Sequence, residues 1–228
     1  MSYSSRLRVE CVGKTYTRGS TPVQALREVS FELNAGEFAA LRGPSGSGKS
    51  TLLNVLCGWE TADRGSLWLL PDEAEGPRDA PDTMAWAELA FVPQSLGLLE
   101  ELSLRENVAL PTRFAPDTAI PSPAAIELVL DQFGLAGVAS RSPADASLGE
   151  QQRAAVARAL VLAPPILFAD EPTAHQDAHW VNHIFQLLRA AADGGAACLV
   201  ATHSAEGLAY ADRVLEMRDG RLDEHTKA

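Results

Sequence analysis

The chain has 228 residues, enough to bury a substantial core in one large domain or in one core with a smaller lobe. Its 30 acidic residues outnumber its 19 Lys and Arg, and the formal charge of −11 argues against nucleic acid as a main partner. No apolar run reaches the roughly 18 residues of a membrane span, and the N-terminus lacks the apolar core of a signal peptide. The scattered cysteines Cys11, Cys57 and Cys198 form no C-x-x-C pair, so we expect reduced, mostly buried thiols of a cytosolic protein.

Strands are the first elements predicted along the chain. Residues Leu7–Val12 and Val29–Leu33 alternate apolar and polar side chains, which favours half-buried strands. The apolar run Phe38–Leu41 indicates a fully buried strand, and Leu52–Leu56 indicates a helix shortly after it. A buried strand, a short loop and a helix are therefore expected in this order.

The loop between that strand and that helix carries the most informative motif. It fits the phosphate-binding pattern G-x-x-x-x-G-K-[ST] with Gly43, Pro44, Ser45, Gly46, Ser47, Gly48, Lys49, Ser50 and Thr51. The glycines let backbone N–H groups close around phosphate oxygens, while Lys49 can reach the β- and γ-phosphates and the Ser50 hydroxyl can hold Mg²⁺. The dipole of the following helix favours the same anion. The sequence therefore predicts a site for a nucleoside triphosphate.

The next segments change from strands to helices. Ser66–Leu70 is a predicted strand after a turn at residues 63–65, residues 71–83 suggest an exposed loop, and Glu88–Val92 is a further short strand. Helical spacing predicts an amphipathic helix over residues 123–133, and the Ala- and Arg-rich stretch Gln151–Leu162 predicts a second. Residues 95–162 are therefore interpreted as a helical insertion between two α/β stretches.

The last third returns to alternating strands and helices. The buried strand Ile166–Ala169 leads into the carboxylates Asp170 and Glu171 at the edge of the sheet, where ligands bind in α/β folds. Asp170 is placed to hold Mg²⁺, and Glu171 to polarise an attacking water. The remaining predictions are a helix marked by Trp180, Ile184, Leu187 and Leu188 and ended by Gly194-Gly195, a buried strand Cys198–Ala201, and a hairpin from Arg213–Met217 that turns at Asp219-Gly220.

These motifs resemble, in order and over nearly the whole length, the nucleotide-binding domain of ABC ATPases. Tyr16 matches the aromatic residue that stacks on adenine, residues 43–51 match the Walker A loop, and Gln94 matches the Q-loop glutamine. Residues 146–153 match the signature segment, and Asp170 with Glu171 matches Walker B. The last matches are Asp177 with the D-loop aspartate and His203 with the switch histidine.

The resemblance implies a fold and a division of the chain. The fold is an α/β P-loop NTPase core with a RecA-like mixed or parallel sheet, an N-terminal antiparallel β subdomain and a helical ABC-specific subdomain. Residues 1–94 and 163–228 would form the catalytic core with its β subdomain, and residues 95–162 the helical subdomain, all within one ABC ATPase domain.

The resemblance also implies ATP hydrolysis with Mg²⁺ and a role for each matched residue. Tyr16, Val23 and residues 43–51 would bind ATP, while Ser50, Gln94 and Asp170 would hold the metal. Glu171, His203 and Gln94 would act in catalysis. Ser147, Leu148, Gly149 and Glu150 would bind the γ-phosphate of ATP held by a second copy, so a homodimer is implied, with Asp177 in its D-loop. An integral membrane permease is the other implied partner, and nucleic acid is not.

The signature segment departs from the family's usual Leu-Ser-Gly-Gly-Gln at Ala146, Leu148 and Glu150. Leu148 replaces a glycine, so it is expected either to hinder close approach at the dimer interface or to require a φ angle that leucine disfavours. Hydrolysis is then expected to be slower than in relatives with two glycines, and Leu148→Gly to raise the rate.

Residues 94–111 resemble the subgroup of lipoprotein-release and macrolide-efflux ATPases, although residues 84–88 depart from it. The chain is therefore expected on the cytoplasmic, inner face of the membrane through its permease. A mechanotransmitting or regulatory ATPase on a similar permease, with a cell-envelope or division role, remains an alternative. His175, His179 and His183 form one helical stripe that fits either a polar face near the D-loop or a metal site.

Overall fold

The computed structural model describes residues 4–19, 21–69, 78–79 and 87–226, and these form two β-sheets and six α-helices. The strands are β1 Ser5–Arg18, β2 Thr21–Asn34, β3 Phe38–Arg42, β4 Arg64–Leu69, β5 Arg78–Asp79, β6 Leu89–Val92, β7 Ile166–Asp170, β8 Ala197–Ala201, β9 Arg213–Arg218 and β10 Arg221–Thr226. The helices are α1 Lys49–Leu56, α2 Leu104–Ala109, α3 Pro123–Gln132, α4 Leu148–Leu160, α5 Ala178–Asp193 and α6 Ala205–Tyr210.

One sheet is antiparallel and comes from the first third of the chain. Its order is β2-β1-β4-β5, and the long hairpin of β1 and β2 places Tyr16 directly opposite Val23. Irregularities in the pairing coincide with residues in the left-handed backbone region, Cys11 in β1 and Glu28 in β2. Such bulges increase the twist of a strand and turn its outer end.

The other sheet has the order β10-β9-β3-β8-β7-β6. Strands β6, β7, β8, β3 and β9 are parallel, and β10 pairs antiparallel to β9 through the predicted hairpin. Because parallel strands end at the same edge, the loops after β3, β6, β7 and β8 all emerge on one side of the sheet.

The core lies on both faces of this sheet, because alternate residues of each strand point to opposite faces. Phe38 and Leu167 face one cluster, which includes buried residues of α4 and α5. Leu41 and Phe168 face the other, which includes α1 and the inner face of the antiparallel sheet. The uninterrupted apolar runs that predicted these strands follow from burial on both sides.

Residues 95–162 contain α2, α3, α4 and short 3₁₀ turns, and no strand. Helix α3 agrees with its prediction, whereas α4 begins at Leu148 rather than Gln151 and ends at Leu160 rather than Leu162. The earlier start has a physical cause: the Ser147 hydroxyl accepts from the Glu150 amide, so the helix is capped at Ser147. The sequence analysis missed the six-residue helices α2 and α6, which are too short to show a clear period.

Strand β4 and the segment after it differ from their predicted form. Strand β4 begins at Arg64, inside the expected turn. The expected loop at 71–83 falls mostly outside the described residues, but Arg78–Asp79 within it pairs with β4.

The three cysteine thiols are not mostly buried, as had been expected. Cys198 is buried, Cys57 is half-buried, and Cys11 is exposed at a strand bulge. Burial raises the pKa of the Cys57 and Cys198 thiols, which keeps both protonated at neutral pH.

A search for bilayer-spanning segments over the described residues found no helix with the necessary length and apolar character.

The complete burial of β7 predicts a large stability loss on truncating its side chains. Phe168 is fully buried, so Phe168→Ala should lower the free energy of unfolding by about 3–5 kcal/mol. Urea denaturation followed by circular dichroism measures the change. Leu128→Ala on α3, where Leu128 is 59% exposed, is the control and should stay within about 0.5 kcal/mol. Equal effects of the two variants would contradict the described core.

Candidate active site

A cleft of about 750 Å³ opens at the edge of the parallel sheet where the strands end. It brings together most of the predicted site: Tyr16, Val23, Ser45, Gly46, Gly48, Lys49, Ser50, Thr51, Gln94, Asp170, Glu171 and His203. Gln24, Ala25, Arg27, Asp219 and Gly220 also line it, and the sequence analysis had assigned them no role. Residues 147–150 and Asp177 are not among its lining residues.

The phosphate-binding loop leaves β3 and runs into α1. Lys49 is only 8% exposed, and its ammonium group donates to the carbonyls of Gly43 at 2.8 Å and Pro44 at 3.2 Å. Gly48 occupies the N-cap position with φ 108°, and no side chain caps the helix there. The first amide groups of α1 are therefore available to an anion in the cleft.

The turn of the hairpin between β9 and β10 is hydrogen-bonded to the phosphate-binding loop. The amide of Gly220 donates to the Ser47 carbonyl at 3.0 Å, and the Gly220 carbonyl accepts from the Arg27 amide at 2.7 Å. A side chain at Gly43 would collide with the Met217 carbonyl, so this contact also requires glycine. The shape of the phosphate loop thus depends on a hairpin that lies more than a hundred residues later in the sequence.

Tyr16 and Val23 form one wall of the cleft. They are 37% and 48% exposed, and their positions opposite each other on β1 and β2 explain why both reach the same surface. The Tyr16 hydroxyl is hydrogen-bonded to the Glu60 carboxylate, and desolvation together with this carboxylate raises the pKa of Tyr16. A neutral, half-exposed aromatic ring beside an aliphatic side chain suits a flat, apolar ligand face.

Asp170 ends strand β7 and Glu171 directly follows it, and both residues line the cleft. Asp170 is 3% exposed. Glu171 has φ 50°, a left-handed conformation that is unfavourable for glutamate, and its amide donates to the Ala201 carbonyl at 2.9 Å. Such strained residues persist only when their surroundings hold them, and they concentrate at functional sites.

The carboxylate of Glu171 is partly desolvated. Its Oε1 is buried without a hydrogen-bond partner among the described residues, although His203 Nε2 lies 3.5 Å away. The separation fits an ion-pair contact better than a hydrogen bond. Desolvation raises the pKa of Glu171 and Asp170 adds to the rise, while His203 and Lys49 oppose it. The carboxylate can therefore take a proton more readily than an exposed glutamate can.

Gln94 follows β6 and is exposed at the cleft. The turn just after it is held by Arg158 of α4, whose guanidinium donates to the Leu96 carbonyl at 2.7 Å and the Gly97 carbonyl at 2.6 Å. Burial lowers the pKa of Arg158. The sequence analysis missed this contact, because nothing in a single sequence pairs an arginine with carbonyls sixty residues earlier.

Comparison with known proteins places this site in a family. The model of the ABC transporter family matches residues 26–174, which include the phosphate loop, Gln94 and Asp170-Glu171. The chain belongs to the ABC transporter family. Its fold is that of an ABC ATPase: a solved dimeric ATP-binding cassette in a post-hydrolysis state with ADP and phosphate superposes with a TM-score of 0.86. That cassette is 30% identical, and the match covers 96% of this chain and 98% of the other.

Two named members of the family are similar to this chain over most of its length. The lipoprotein-releasing system ATP-binding protein LolD of Granulibacter bethesdensis is 39% identical over 221 residues, covering 96% of each chain. The macrolide export ATP-binding/permease protein MacB of Chlorobium luteolum is 40% identical over 210 residues, covering 92% of this chain and 32% of that longer protein. The chain is thus an ABC ATPase of the LolD and MacB type, as its subgroup resemblance predicted.

The signature segment of this ABC ATPase, residues 146–153, lies away from its own cleft at the start of α4. Ser147 caps the helix, and the Glu150 carboxylate accepts from the Ser147 amide at 2.7 Å and from its hydroxyl at 2.8 Å. The hydrogen bond from the Ser147 backbone, followed by that from its side chain, lowers the pKa of Glu150. A carboxylate therefore occupies the end of the helix where the signature would receive a phosphate.

One expectation about Leu148 is wrong. Leu148 is the first residue of α4 and has an ordinary helical backbone, so it requires no unfavourable φ angle. The glycine that matters for close approach is Gly149, where an added Cβ would lie 3.3 Å from the His175 carbonyl. Leu148 is 47% exposed on the free side of the helix end, and its steric effect on a dimer stays a prediction.

The D-loop, residues 174–177, leads from β7 into α5. The Asp177 carboxylate accepts from the Trp180 amide at 3.0 Å and so caps α5. Trp180, one of the residues that predicted this helix, is half-buried, with the Arg153 guanidinium 4.2 Å from its ring centroid. The rings of His179 and His183 stack at 6.4 Å, and over the described residues no group of three His, Cys, Asp or Glu side chains forms a metal site.

The support of the phosphate loop by the hairpin can be tested with a pair of glycine variants. Gly220 has φ 77° and its Cβ would lie 2.8 Å from the Ala25 carbonyl, whereas Gly195 has φ 106° and open space around it. Gly220→Ala should weaken ATP binding roughly tenfold, the effect of losing about one hydrogen bond, by displacing the loop. Gly195→Ala should leave the affinity unchanged. Isothermal titration calorimetry measures both, and equal affinities would contradict the role of the hairpin.

Proposed function

We propose that this ABC ATPase is the Mg²⁺-ATP-hydrolysing subunit of a membrane transporter, working as a head-to-tail homodimer that drives a separate permease. The observation that carries the proposal is the collection of Lys49, Asp170, Glu171 and His203 in one cleft that also holds the phosphate loop. ATP hydrolysis requires these groups together: a cation for the phosphates, oxygen ligands for a metal, and a base for water.

The roles of the residues follow from their placement. Lys49 exchanges the carbonyls of Gly43 and Pro44 for the β- and γ-phosphate oxygens, while the amides of the loop and of α1 bind the same anion. Glu171 accepts the proton of the water that attacks the γ-phosphorus, and the bond to the ADP oxygen breaks. His203 lies close enough to Glu171 to hold its carboxylate and to contact the γ-phosphate.

The oxygens near the phosphate loop suit Mg²⁺. The buried Asp170 carboxylate, the Ser50 hydroxyl and the Gln94 amide oxygen line the same cleft, and hard oxygen ligands of this kind are what Mg²⁺ prefers. When bound, the ion supplies positive charge to the phosphate oxygens. Tyr16 and Val23 provide the apolar wall for adenine.

A second copy of the chain completes the site. Ser147, Leu148, Gly149 and Glu150 do not line their own cleft, although Ser147 caps a 13-residue helix whose N-terminus favours an anion. The similar cassette was solved as a dimer, which supports an arrangement in which each signature segment covers the ATP of the partner. On ATP binding, the Glu150 carboxylate must give way to the γ-phosphate at Ser147.

The likeness to LolD and MacB supports a lipoprotein-release or macrolide-export type of system, with the ATPase on the cytoplasmic face of the membrane. A surface suited to a permease segment lies beside the Q-loop. Trp59 is 62% exposed and its ring packs against Phe91 at 5.0 Å, on the edge of a cavity of about 190 Å³ that Pro111 and Arg158 also line. An exposed tryptophan over a small apolar cavity is typical of a protein–protein contact.

Blocking the chemical step should trap the dimer. Glu171→Gln removes the base but keeps the size of the side chain, so Mg²⁺-ATP should convert the monomer into a stable dimer in size-exclusion chromatography with light scattering. Lys49→Ala in the same background should prevent the conversion, because the ammonium group that meets the phosphates is gone. A Glu171→Gln protein that stays monomeric at saturating Mg²⁺-ATP would refute the proposed dimer.

The raised pKa of Glu171 predicts how hydrolysis depends on pH. The base works only when deprotonated, and desolvation raises its folded-state pKa, so kcat/KM should fall on acidification at a higher pH than an ordinary glutamate would give. Steady-state ATPase rates across the acidic range measure this, with the melting temperature recorded at each pH to exclude unfolding. A profile that stays flat down to the usual pKa of glutamate would contradict the role of Glu171.

A further inference from the structure

A glutamine joins the signature segment to the D-loop of the same chain. The Gln176 side chain donates from Nε2 to the Gly149 carbonyl at 2.8 Å, and its Oε1 accepts from Nη1 of Arg153 at 3.2 Å. Both ends of the amide are used, so its orientation is fixed. The D-loop and the start of α4 are thereby connected through a single half-buried side chain.

The arginine that meets this glutamine is itself held in place. Arg153 donates from Nε to the Phe133 carbonyl at 2.9 Å, and its guanidinium lies 4.2 Å from the centroid of the Trp180 ring. The Trp180 amide in turn donates to Asp177 in the D-loop. The ends of α3, α4 and α5 therefore meet in one connected set of polar contacts around Gln176.

Two glycines show how tightly these segments approach each other. A Cβ on Gly149 would lie 3.3 Å from the His175 carbonyl, and a Cβ on Gly134 would lie 2.6 Å from the Trp180 ring. Close-packed segments with so little free space move together rather than independently. A displacement of residues 174–177 is therefore transmitted to the N-terminus of α4, where Ser147 begins the helix.

We propose that Gln176 is a positioning residue for the signature segment: its hydrogen bond to Gly149 sets the orientation of the helix end that covers ATP in the partner subunit. The inference rests on the proposed head-to-tail dimer, since neither the signature segment nor the D-loop lines the cleft of its own chain. Gln176 does not line that cleft either, so its loss affects the closing of two subunits and not the first binding of ATP.

The test compares Gln176→Leu with the unmodified glutamine, both in the full-length Glu171→Gln chain. The dimer dissociation constant at saturating Mg²⁺-ATP, from sedimentation equilibrium, should rise roughly tenfold or more, as expected for losing a buried hydrogen bond at the helix end. Binding of a fluorescent ATP analogue to dilute monomer should stay within about twofold. Gln186→Leu makes the same change on the exposed face of α5 and should alter neither quantity.

A second variant separates the two contacts of the glutamine. Gln176→Glu keeps an acceptor for Arg153 but places a carboxylate oxygen against the Gly149 carbonyl, so the dimer should weaken at least as much as with Gln176→Leu. A dimer as tight as the parent in either variant would overturn the role of Gln176 while leaving the proposed function intact. A parent chain that forms no dimer would instead overturn the proposed function, and the inference with it.

Discussion

Main-chain hydrogen bonds hold β6, β7, β8 and β3 parallel, and this pairing makes all four strands leave the sheet at the same edge. Gln94, Asp170 with Glu171, His203 and the phosphate loop each stand at or just beyond the end of one of these strands. The chemistry of the cleft therefore depends on strand register: each side chain reaches its place because its own strand is locked to its neighbours over four or five residues. Burial on both faces of the sheet supplies the stability that keeps this register.

Two charged side chains of the cleft, those of Glu171 and Lys49, are held in unusual surroundings. Glu171 keeps a left-handed backbone and a buried oxygen that accepts no hydrogen bond from the described residues, while Lys49 donates to carbonyls of its own loop. The rigid sheet on one side and the hairpin contact of Gly220 on the other hold these groups in place. The oxygens of a bound phosphate would be further acceptors for the Lys49 ammonium group and for the uncapped amides at the start of α1.

The sequence predicted the elements whose form depends on residues that are close together along the chain. The strand ending at Asp170 was predicted from its apolar run, and the phosphate loop from the spacing of its glycines and Lys49. The contacts missed were those between distant segments, such as Arg158 with the turn after Gln94 or Gly220 with the phosphate loop. Neither residue type is unusual at its position, so only the folded backbone reveals the partner.

Helix α4 is hydrogen-bonded to two loops, the turn after Gln94 and the D-loop. Near its end Arg158 donates to the turn after Gln94, a residue that lines the cleft, and at its start Gly149 is bonded to the D-loop through Gln176. A helix transmits displacement along its axis with little compression, because each turn is bonded to the next. A displacement of the turn after Gln94 is therefore expected to move Ser147 as well, which in the proposed dimer would change how this chain covers the ATP of its partner.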